Sequence, residues 1–464
     1  MPDDATPLHV LHRAVTAALV RDVPAGAAIA VGLSGGRDSV ALLAALRVLA
    51  PARGHAVHAV HVDHGLSPAS GQWREFCRDL CQRWALPFAA AAVTVPRGAG
   101  TSLENEARRA RYAALAGAAR EHGCAYVALG HHRDDQAETL LLQLLRGAGP
   151  RGLAAMPAQR PDARGVTWWR PLLEVDRATI DACLAAAGLT YVDDESNAVT
   201  RHRRNAVRHA VMPALAAVSP AAAASLARAA QHQAEAAALA DDLAGLDAAT
   251  AITDRALARD ALLALAPHRR RNLLRWFLRL HGLAAPSTAR LAQMLAQIEQ
   301  AKPDAKVAIA HGGVVVALHR AHVHVHAPIP APYAARWQGE RTLALPHGTL
   351  DVAHAVGRGI EAARVADGLH VRPRAGGERF RLAPDRPRRS LKAILHDAGW
   401  PPWQRRSVPL LFAGDRLVAV PGLGTDSDFA APAGAPGLMV SWHPRPPADY
   451  VELGHAGAGG SDRR

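Results

Sequence analysis

Two short strings in the first third of the chain carry residue types suited to chemistry on phosphates. The first is Ser34-Gly35-Gly36-Arg37-Asp38-Ser39, set between a short apolar run (28–33) and an amphipathic run (40–50). Two glycines let the backbone come close to an anion, and a helix starting there aims its first N–H groups into the same space. A Ser/Gly turn that only caps a helix would have the same composition, but the strand–loop–helix setting favours a phosphate cradle. The string lacks the Lys-Ser/Thr ending of a Walker A loop, and with it the usual apparatus for moving a γ-phosphoryl group. The second string is GHHRDDQAET (130–139), again directly after a strand-like run. With a helix starting near Asp134, Asp135, Glu138 and Thr139 stand at i, i+3 and i+4 on one face close to its N-terminus. Two carboxylates placed there suit a magnesium ion or an ammonium group, although a solvated acidic first turn would read the same way.

Further strings add cations. ARRARY (107–112) puts Arg108, Arg111 and Tyr112 on one helical face, a grip for phosphate or ribose that a salt-bridged surface would also resemble. HVDHGL occupies 61–66, and Arg204-Asn205-Ala206-Val207-Arg208 follows Asp194-Glu195-Ser196-Asn197. In an expected helix over 269–281, Arg271, Arg275 and Arg279 recur every four residues, while Leu273, Leu274, Phe277 and Leu280 fall mostly on other faces. Such a basic face suits a phosphate backbone or plain solvent. Arg372, Arg374, Arg379, Arg381, Arg388, Arg389, Lys392, Arg405 and Arg406 then cluster near Trp400 and Trp403, which read as packing. His319, His322, His324 and His326 read as polar residues of an edge strand, since no Cys or carboxylate completes a metal set. Cys77 and Cys81, one helical turn apart, read as helix packing.

These residues need elements to hold them. From about 28 to 145, strand-like runs (AIAVGL, HAVHAVHVDHGL, FAAAAVTV, AYVALG) alternate with helical runs. That alternation predicts a doubly wound parallel sheet, α/β, which binds ligands at the carboxyl ends of its strands. Beyond Ser219-Pro220 the sequence turns Ala-rich and helical to about 300, then reads as a hairpin over 305–326 with His311-Gly312-Gly313 at its turn. The Pro-rich APIPAPY (327–333) reads as a linker, and short strand-like runs with one helix (388–399) predict a small α+β domain. The expected division is 1–215, 216–328, a linker 329–359, 360–445 and a disordered tail 446–464.

With 464 residues the chain is long enough for two or three domains, and 49% hydrophobic with 20% charged residues is an ordinary globular balance. No apolar run reaches the roughly 18–20 residues of a membrane span, and Asp3 and Asp4 do not suit a secretory signal, so the expected location is cytoplasmic, without a membrane partner. The four cysteines, Cys77, Cys81, Cys124 and Cys183, form no CxxC pair and read as reduced structural thiols. Fifty-four Lys and Arg against 41 Asp and Glu give +13, which favours a polyanionic partner. Only Lys302, Lys306 and Lys392 are lysines, and so Arg-rich a composition weakens that inference.

The SGGRDS string resembles the SGGxDS loop of the PP-loop ATP pyrophosphatases, which cleave ATP between the α and β phosphates and leave AMP on a substrate oxygen. SGGRDS, HVDHGL, ARRARY, GHHRDDQAETLLLQLLRG, RPLL (170–173), the SN…RNAVR pair, HRRRNLLRWFLRLHG (268–282), RPRAGGERFRL and SLKAILHDAGWPPWQRRSVPLL, in this order, resemble the bacterial tRNA(Ile)-lysidine synthetase family. The resemblance covers roughly 26–425. It implies a PP-loop domain followed by a mainly helical middle domain and a small α+β C-terminal domain. It also implies adenylation by ATP of C2 of the wobble cytidine in a tRNA(Ile) with a CAU anticodon, then displacement of AMP by the ε-amine of free lysine. The implied sites are Ser34, Gly35, Gly36, Arg37, Asp38, Ser39 and His132 for ATP, with Asp38 near magnesium. Asp135 and Glu138 would take lysine, and Arg108 and Arg111 nucleotide phosphate. Arg204, Arg208, Arg271, Arg275, Arg279, Arg374, Arg379, Lys392, Arg405 and Arg406 would meet tRNA; no protein partner is implied. A tRNA cytidine thiolase is disfavoured by the missing CxxC pairs, a small-molecule amidotransferase by the missing glutaminase region. A tRNA-binding protein with a decayed ATP site is disfavoured by the intact SGGRDS and DDQAE strings.

Overall fold

The computed structural model describes residues 6–63, 65, 67, 69–93, 103–193, 203–302 and 307–447. His64, Leu66, Asp194 to Asn197, Lys306 and the tail from Ala448 lie outside them. The chain forms two compact units, Met1–Ala240 and Asp241–Arg464.

In the first unit, α1 (Pro7–Asp22) precedes β1 (Ile29–Gly32), α2 (Arg37–Leu49), β2 (Val57–Asp63), α3 (Ser70–Arg83), β3 (Phe88–Ala92), α4 (Leu103–Glu121), β4 (Tyr126–Ala128) and α5 (Arg133–Leu144). A short α6 (Pro150–Leu153) leads to β5 (Gln159–Pro161), β6 (Thr167–Trp169) and α7 (Arg177–Ala186). The sheet runs β3-β2-β1-β4-β6-β5. Five strands are parallel as expected, but β5 pairs antiparallel with β6 and makes a mixed edge. Side-chain alternation builds a core on each face: Ile29, Val31, Ala59, Ala128 and Trp169 pack with α1, α2, α3 and α7, whereas Ala30, Val60, Val127 and Trp168 pack with α4. Both faces are therefore covered, which is why the strands read as continuous apolar runs. The winding reverses between β1 and β4, so the crevice at their carboxyl ends is the switch point where such sheets bind ligands.

The unit continues through α8 (Arg203–Ala206), a π-helical turn (Val207–Val211), α9 (Met212–Val218) and α10 (Ala222–Ala251), the last running past its boundary. Among the described residues no single helix is long and apolar enough to cross a membrane.

In the second unit, β7 (Ile252–Thr253), β8 (Ala256–Ala258), α11 (Arg259–Ala264), α12 (Pro267–Leu280) and α13 (Thr288–Glu299) precede β9 (Ala308–His311), β10 (Val314–His319) and β11 (His322–His326). The expected hairpin is present: Gly312 and Gly313, both at positive φ, join β9 to β10. The histidine strand departs from its expected edge position, because β11 pairs with β10 on one side and β8 on the other.

The stretch 329–359, expected as a linker, holds β12 (Ala335–Trp337), β13 (Thr342–Leu345) and β14 (Gly348–Val356). After it come β15 (Ile360–Glu361), β16 (Leu369–Arg372), β17 (Arg379–Phe380), β18 (Arg389–Ser390), α14 (Leu391–Asp397), α15 (Pro402–Ser407), β19 (Leu410–Ala413), β20 (Arg416–Val420), β21 (Gly424–Thr425) and β22 (Pro436–Pro444). β14 pairs with β22 over nine residues and β12 with β16, so the expected linker is structurally part of the C-terminal sheets.

Candidate active site

The loop after β1 is shaped by its glycines. Gly35 has φ +87°, and a Cβ there would stand 3.3 Å from Cys77 Sγ, so both backbone and space call for glycine. The Gly36 N–H donates to Ser34 Oγ at 3.3 Å, and Ser39 Oγ donates to the Gly36 carbonyl at 2.8 Å. The first N–H groups of α2 have no partner within the helix and open from this loop. Ser34 to Ser39 thus have the geometry expected of an anion cradle, except that Arg37 turns away to Asp181 of α7 at 2.8 Å and lies over Tyr191. Asp38 points toward the neighbouring strand end. Its Oδ1 is buried without a hydrogen-bond partner, and burial, aided by the charge of Asp135, pushes its carboxyl above the usual range despite His132.

Gly130, after β4, leaves room for α2: a Cβ on it would meet the Asp38 carbonyl carbon at 2.9 Å. The next helix, α5, opens at Arg133, one residue before the expected start, with His132 as its N-cap. Asp135 Oδ2 accepts from the His132 N–H at 3.1 Å, and Asp134 Oδ2 accepts from the Arg177 N–H at 3.0 Å. The buried His132 ring has Nε2 3.7 Å from Asp38 and 3.5 Å from Asp135, and Nδ1 3.4 Å from Asp134. Burial opposes its protonation, but these three carboxylates outweigh burial and raise its pKa. Thr139, grouped with the carboxylates by spacing, donates to the Asp135 carbonyl at 2.7 Å and so serves the helix.

Asp135 and Glu138 share one face, as their spacing requires, and both are buried. Each already has cationic partners. Arg204 Nη2 lies 2.8 Å from Asp135 and its Nε 3.0 Å from Glu138; Arg208 Nε lies 2.6 Å from Glu138 and its Nη2 3.0 Å from Asp135. Burial pushes Asp135 up, but His132, Arg204 and His131 outweigh it and hold the carboxyl at about 2. An acid held so low stays ionised near neutral pH, so it can bind a cation but is a poor proton acceptor. Arg204 and Arg208, read from sequence as tRNA contacts, are in this structure counter-ions of the acidic pair.

Arg108 and Arg111 do converge on Tyr112, as the helical spacing predicts. The residue that sequence reasoning missed is Arg170, directly after β6, which joins them. Its only signal was its place in RPLL behind a strand.

The cysteines are free and buried. Burial pushes Cys77 up to about 12 and Cys81 to about 11, which leaves them unreactive.

In the second unit, α12 buries Leu273, Leu274, Phe277 and Leu278 and leaves Leu280 at the surface. Arg271 is exposed on it, Arg275 half-buried, and Arg279 pairs with Asp241. Much of the C-terminal arginine cluster is spent internally. Arg374 pairs with Glu378 at 3.2 Å, Arg379 Nη2 donates to the Arg388 carbonyl at 2.6 Å, and Arg388 pairs with the buried Asp426 at 2.9 Å. Lys392 and Arg406 are exposed, and Arg405 Nε is buried without a partner. Trp403 packs against the histidine strand, its ring stacked on His326 at 4.4 Å with 6° between planes, in keeping with a packing role.

Three family models match the chain in succession: a PP-loop domain over residues 9–215, a TilS substrate binding domain over 257–326 and a TilS substrate C-terminal domain over 369–442. The tRNA(Ile)-lysidine synthase of Nitrosomonas europaea is 40% identical over 427 residues, 90% of this chain and 92% of that protein. The protein of the same name from Chromobacterium violaceum is 41% identical over 430 residues, 90% of this chain and 96% of that protein. Among solved structures, a TILS C-terminal domain is 23% identical, covering 24% of this chain and 98% of that chain, with a TM-score of 0.21.

Proposed function

The chain belongs to the tRNA(Ile)-lysidine synthase family, and from that premise we propose that it joins free lysine to the wobble cytidine of a tRNA(Ile) with a CAU anticodon, in the cytoplasm, as a carbon–nitrogen ligase. The C2 oxygen of the cytidine attacks the α-phosphorus of ATP and pyrophosphate leaves. The lysine ε-ammonium gives up a proton to solvent, and its nitrogen then bonds to C2 as the C2–O bond breaks and AMP departs. The observation that carries this reading is the meeting, at the β1/β4 switch point, of the glycine-shaped loop Ser34 to Ser39 with the buried acidic pair Asp135 and Glu138.

Each step has residues suited to it. Ser34 to Ser39 and the start of α2 would hold the ATP phosphates. Magnesium fits at Asp38: its Oδ1 lacks a donor, and oxygen-liganded magnesium commonly takes one or two carboxylates plus phosphate oxygens, offsetting their charge. Asp135 and Glu138 would orient the lysine ammonium, which must compete there with Arg204 or Arg208. Arg108 and Arg111 would meet a phosphate group. Arg271, Arg275, Arg379, Lys392, Arg405 and Arg406 are the cations best placed for the tRNA body, since Arg279 and Arg374 are ion-paired. Four buried thiols with no CxxC pair offer nothing for sulfur transfer.

The test separates the two steps. In Glu138→Gln, pyrophosphate release that depends on tRNA should persist while incorporation of labelled lysine falls by about 100-fold or more. Loss of both steps together, in a folded variant, would remove Glu138 from lysine binding.

A further inference from the structure

Several half-buried arginines in this chain are answered by carboxylates: Arg204 and Arg208 by Asp135 and Glu138, Arg388 by Asp426. One group differs. Arg108 and Arg111 stand on α4 with guanidinium carbons 5.3 and 5.7 Å from the Tyr112 ring centre, and Arg108 Nη2 is 3.5 Å from the Tyr112 hydroxyl. Arg170 approaches the same hydroxyl and is only 4% exposed. Its Nη1 donates to the Pro157 carbonyl at 2.8 Å, and its Nε is buried with no partner. Among the described residues, none of the three forms an ion pair.

Burying a guanidinium without a counter-ion is costly, so Arg170, buried beside the half-buried Arg111 and the exposed Arg108, marks a place suited to an anion. The charges already act on their surroundings. Burial pushes the Tyr112 phenol up, yet Arg108, Arg170 and Arg111 outweigh it and hold it below its ordinary value. Burial also lowers Arg170, with Arg160 and Arg108 adding to the effect. The group lies at the carboxyl ends of β4 and β6, on the ligand edge of the sheet. Two strand spacings, roughly 10 Å, separate β6 from β1 and its cradle, which leaves room for a second anion beside the one the cradle would hold.

We propose that Arg170, together with Arg108, Arg111 and Tyr112, seats a phosphodiester of the tRNA backbone next to the base being adenylated. This rests on the tRNA-modifying reading above. Three guanidiniums suit a run of backbone phosphates better than a single carboxylate, and such contacts set the register of a nucleic acid without reading its bases. Arg170 is then a residue that positions RNA from the strand next to the catalytic helix.

The test uses the full chain with Arg170→Gln, Arg170→Lys and Arg108→Gln, checked for folding by circular dichroism. Arg108 is exposed, so its variant carries the test if Arg170→Gln does not fold. The KM of pyrophosphate release is measured separately for tRNA, ATP and lysine, and tRNA binding is followed across a salt titration. The expected result is a tRNA KM about tenfold higher, a salt slope reduced by about one, partial recovery in Arg170→Lys, and little change for ATP or lysine. A rise confined to lysine would reassign the seat to an amino-acid carboxylate, and one confined to ATP to pyrophosphate; either result overturns the proposal, as does no change in any KM. The wild type in the same series tests the parent reading by itself: if it neither binds tRNA nor releases pyrophosphate, that reading fails, whereas an active wild type with unaffected variants sinks only the seat.

Discussion

A buried carboxylate oxygen without a donor is costly unless a cation arrives to meet it, and Asp38 Oδ1 is such an atom. Its raised pKa says the same thing: near neutral pH the folded chain holds a charge it would rather lose. Asp38→Asn should therefore cut tRNA-dependent pyrophosphate release by about 100-fold or more while leaving the Tm at or above the wild-type value. A clear drop in Tm would mean that Asp38 serves the fold instead. His132 is the opposite case. A histidine whose pKa is raised on folding adds stability that is complete below its unfolded value of 6.5 and is lost as pH climbs through the higher folded value. The stability gap between wild type and His132→Gln, measured by urea unfolding, should thus be wide at pH 6 and narrow by pH 9; a constant gap would deny the charge. Glu138→Ala takes from Arg204 and Arg208 their deepest partner while Asp135 still pairs with both, and should cost about 1–3 kcal/mol in the same assay. Spacing alone revealed Asp135 and Glu138, because i and i+3 share a helical face. It did not reveal Arg204 and Arg208 as their partners, since a pairing across nearly 70 residues is made by the fold and leaves no local period.

Elements carry these residues to one place, and Gly130 is where that placement is most exposed to test. A Cβ at 2.9 Å from the Asp38 backbone must push the start of α2 away from the β4–α5 loop. Gly130→Ala removes no functional group, yet it should lower turnover by about tenfold or more and leave the protein folded, as read by kinetics beside circular dichroism. Unchanged turnover would show that the two loops need not be so closely docked. The parallel strands β1 to β4 were legible in sequence because strands covered on both faces read as apolar runs. The edge strand β5 was not, since Gln159-Arg160-Pro161 carries no strand signature and is held by its pairing to β6. The segment 329–359 misled for a related reason. Prolines at its start suggested a linker, while β14 pairs with β22, some 90 residues later, and such long-range pairing has no local signature. Removing residues from 360 onward would consequently strip β14 of its partner, and point substitutions are the sounder probe of this region.

At the scale of the whole molecule, a net charge of +13 favours an anionic partner, and the structure narrows which cations are available to it. Arg374, Arg381 and Arg388 are satisfied within the C-terminal sheets by Glu378, Asp428 and Asp426. Lys392 and Arg406 are exposed and make no ion pair among the described residues. If they meet phosphates, the double variant Lys392→Ala/Arg406→Ala should lower the slope of log binding constant against log salt by roughly 1–2, with no effect on ATP affinity. The claim on which everything else depends is that the cradle and the acidic pair act in succession on one tRNA. It is tested by incubating the purified protein with ATP, magnesium, labelled lysine and a CAU-anticodon tRNA(Ile), and counting label in the RNA against pyrophosphate released. The account predicts one lysine incorporated per pyrophosphate, with both absent when the tRNA is omitted; pyrophosphate released without label entering the RNA would contradict it.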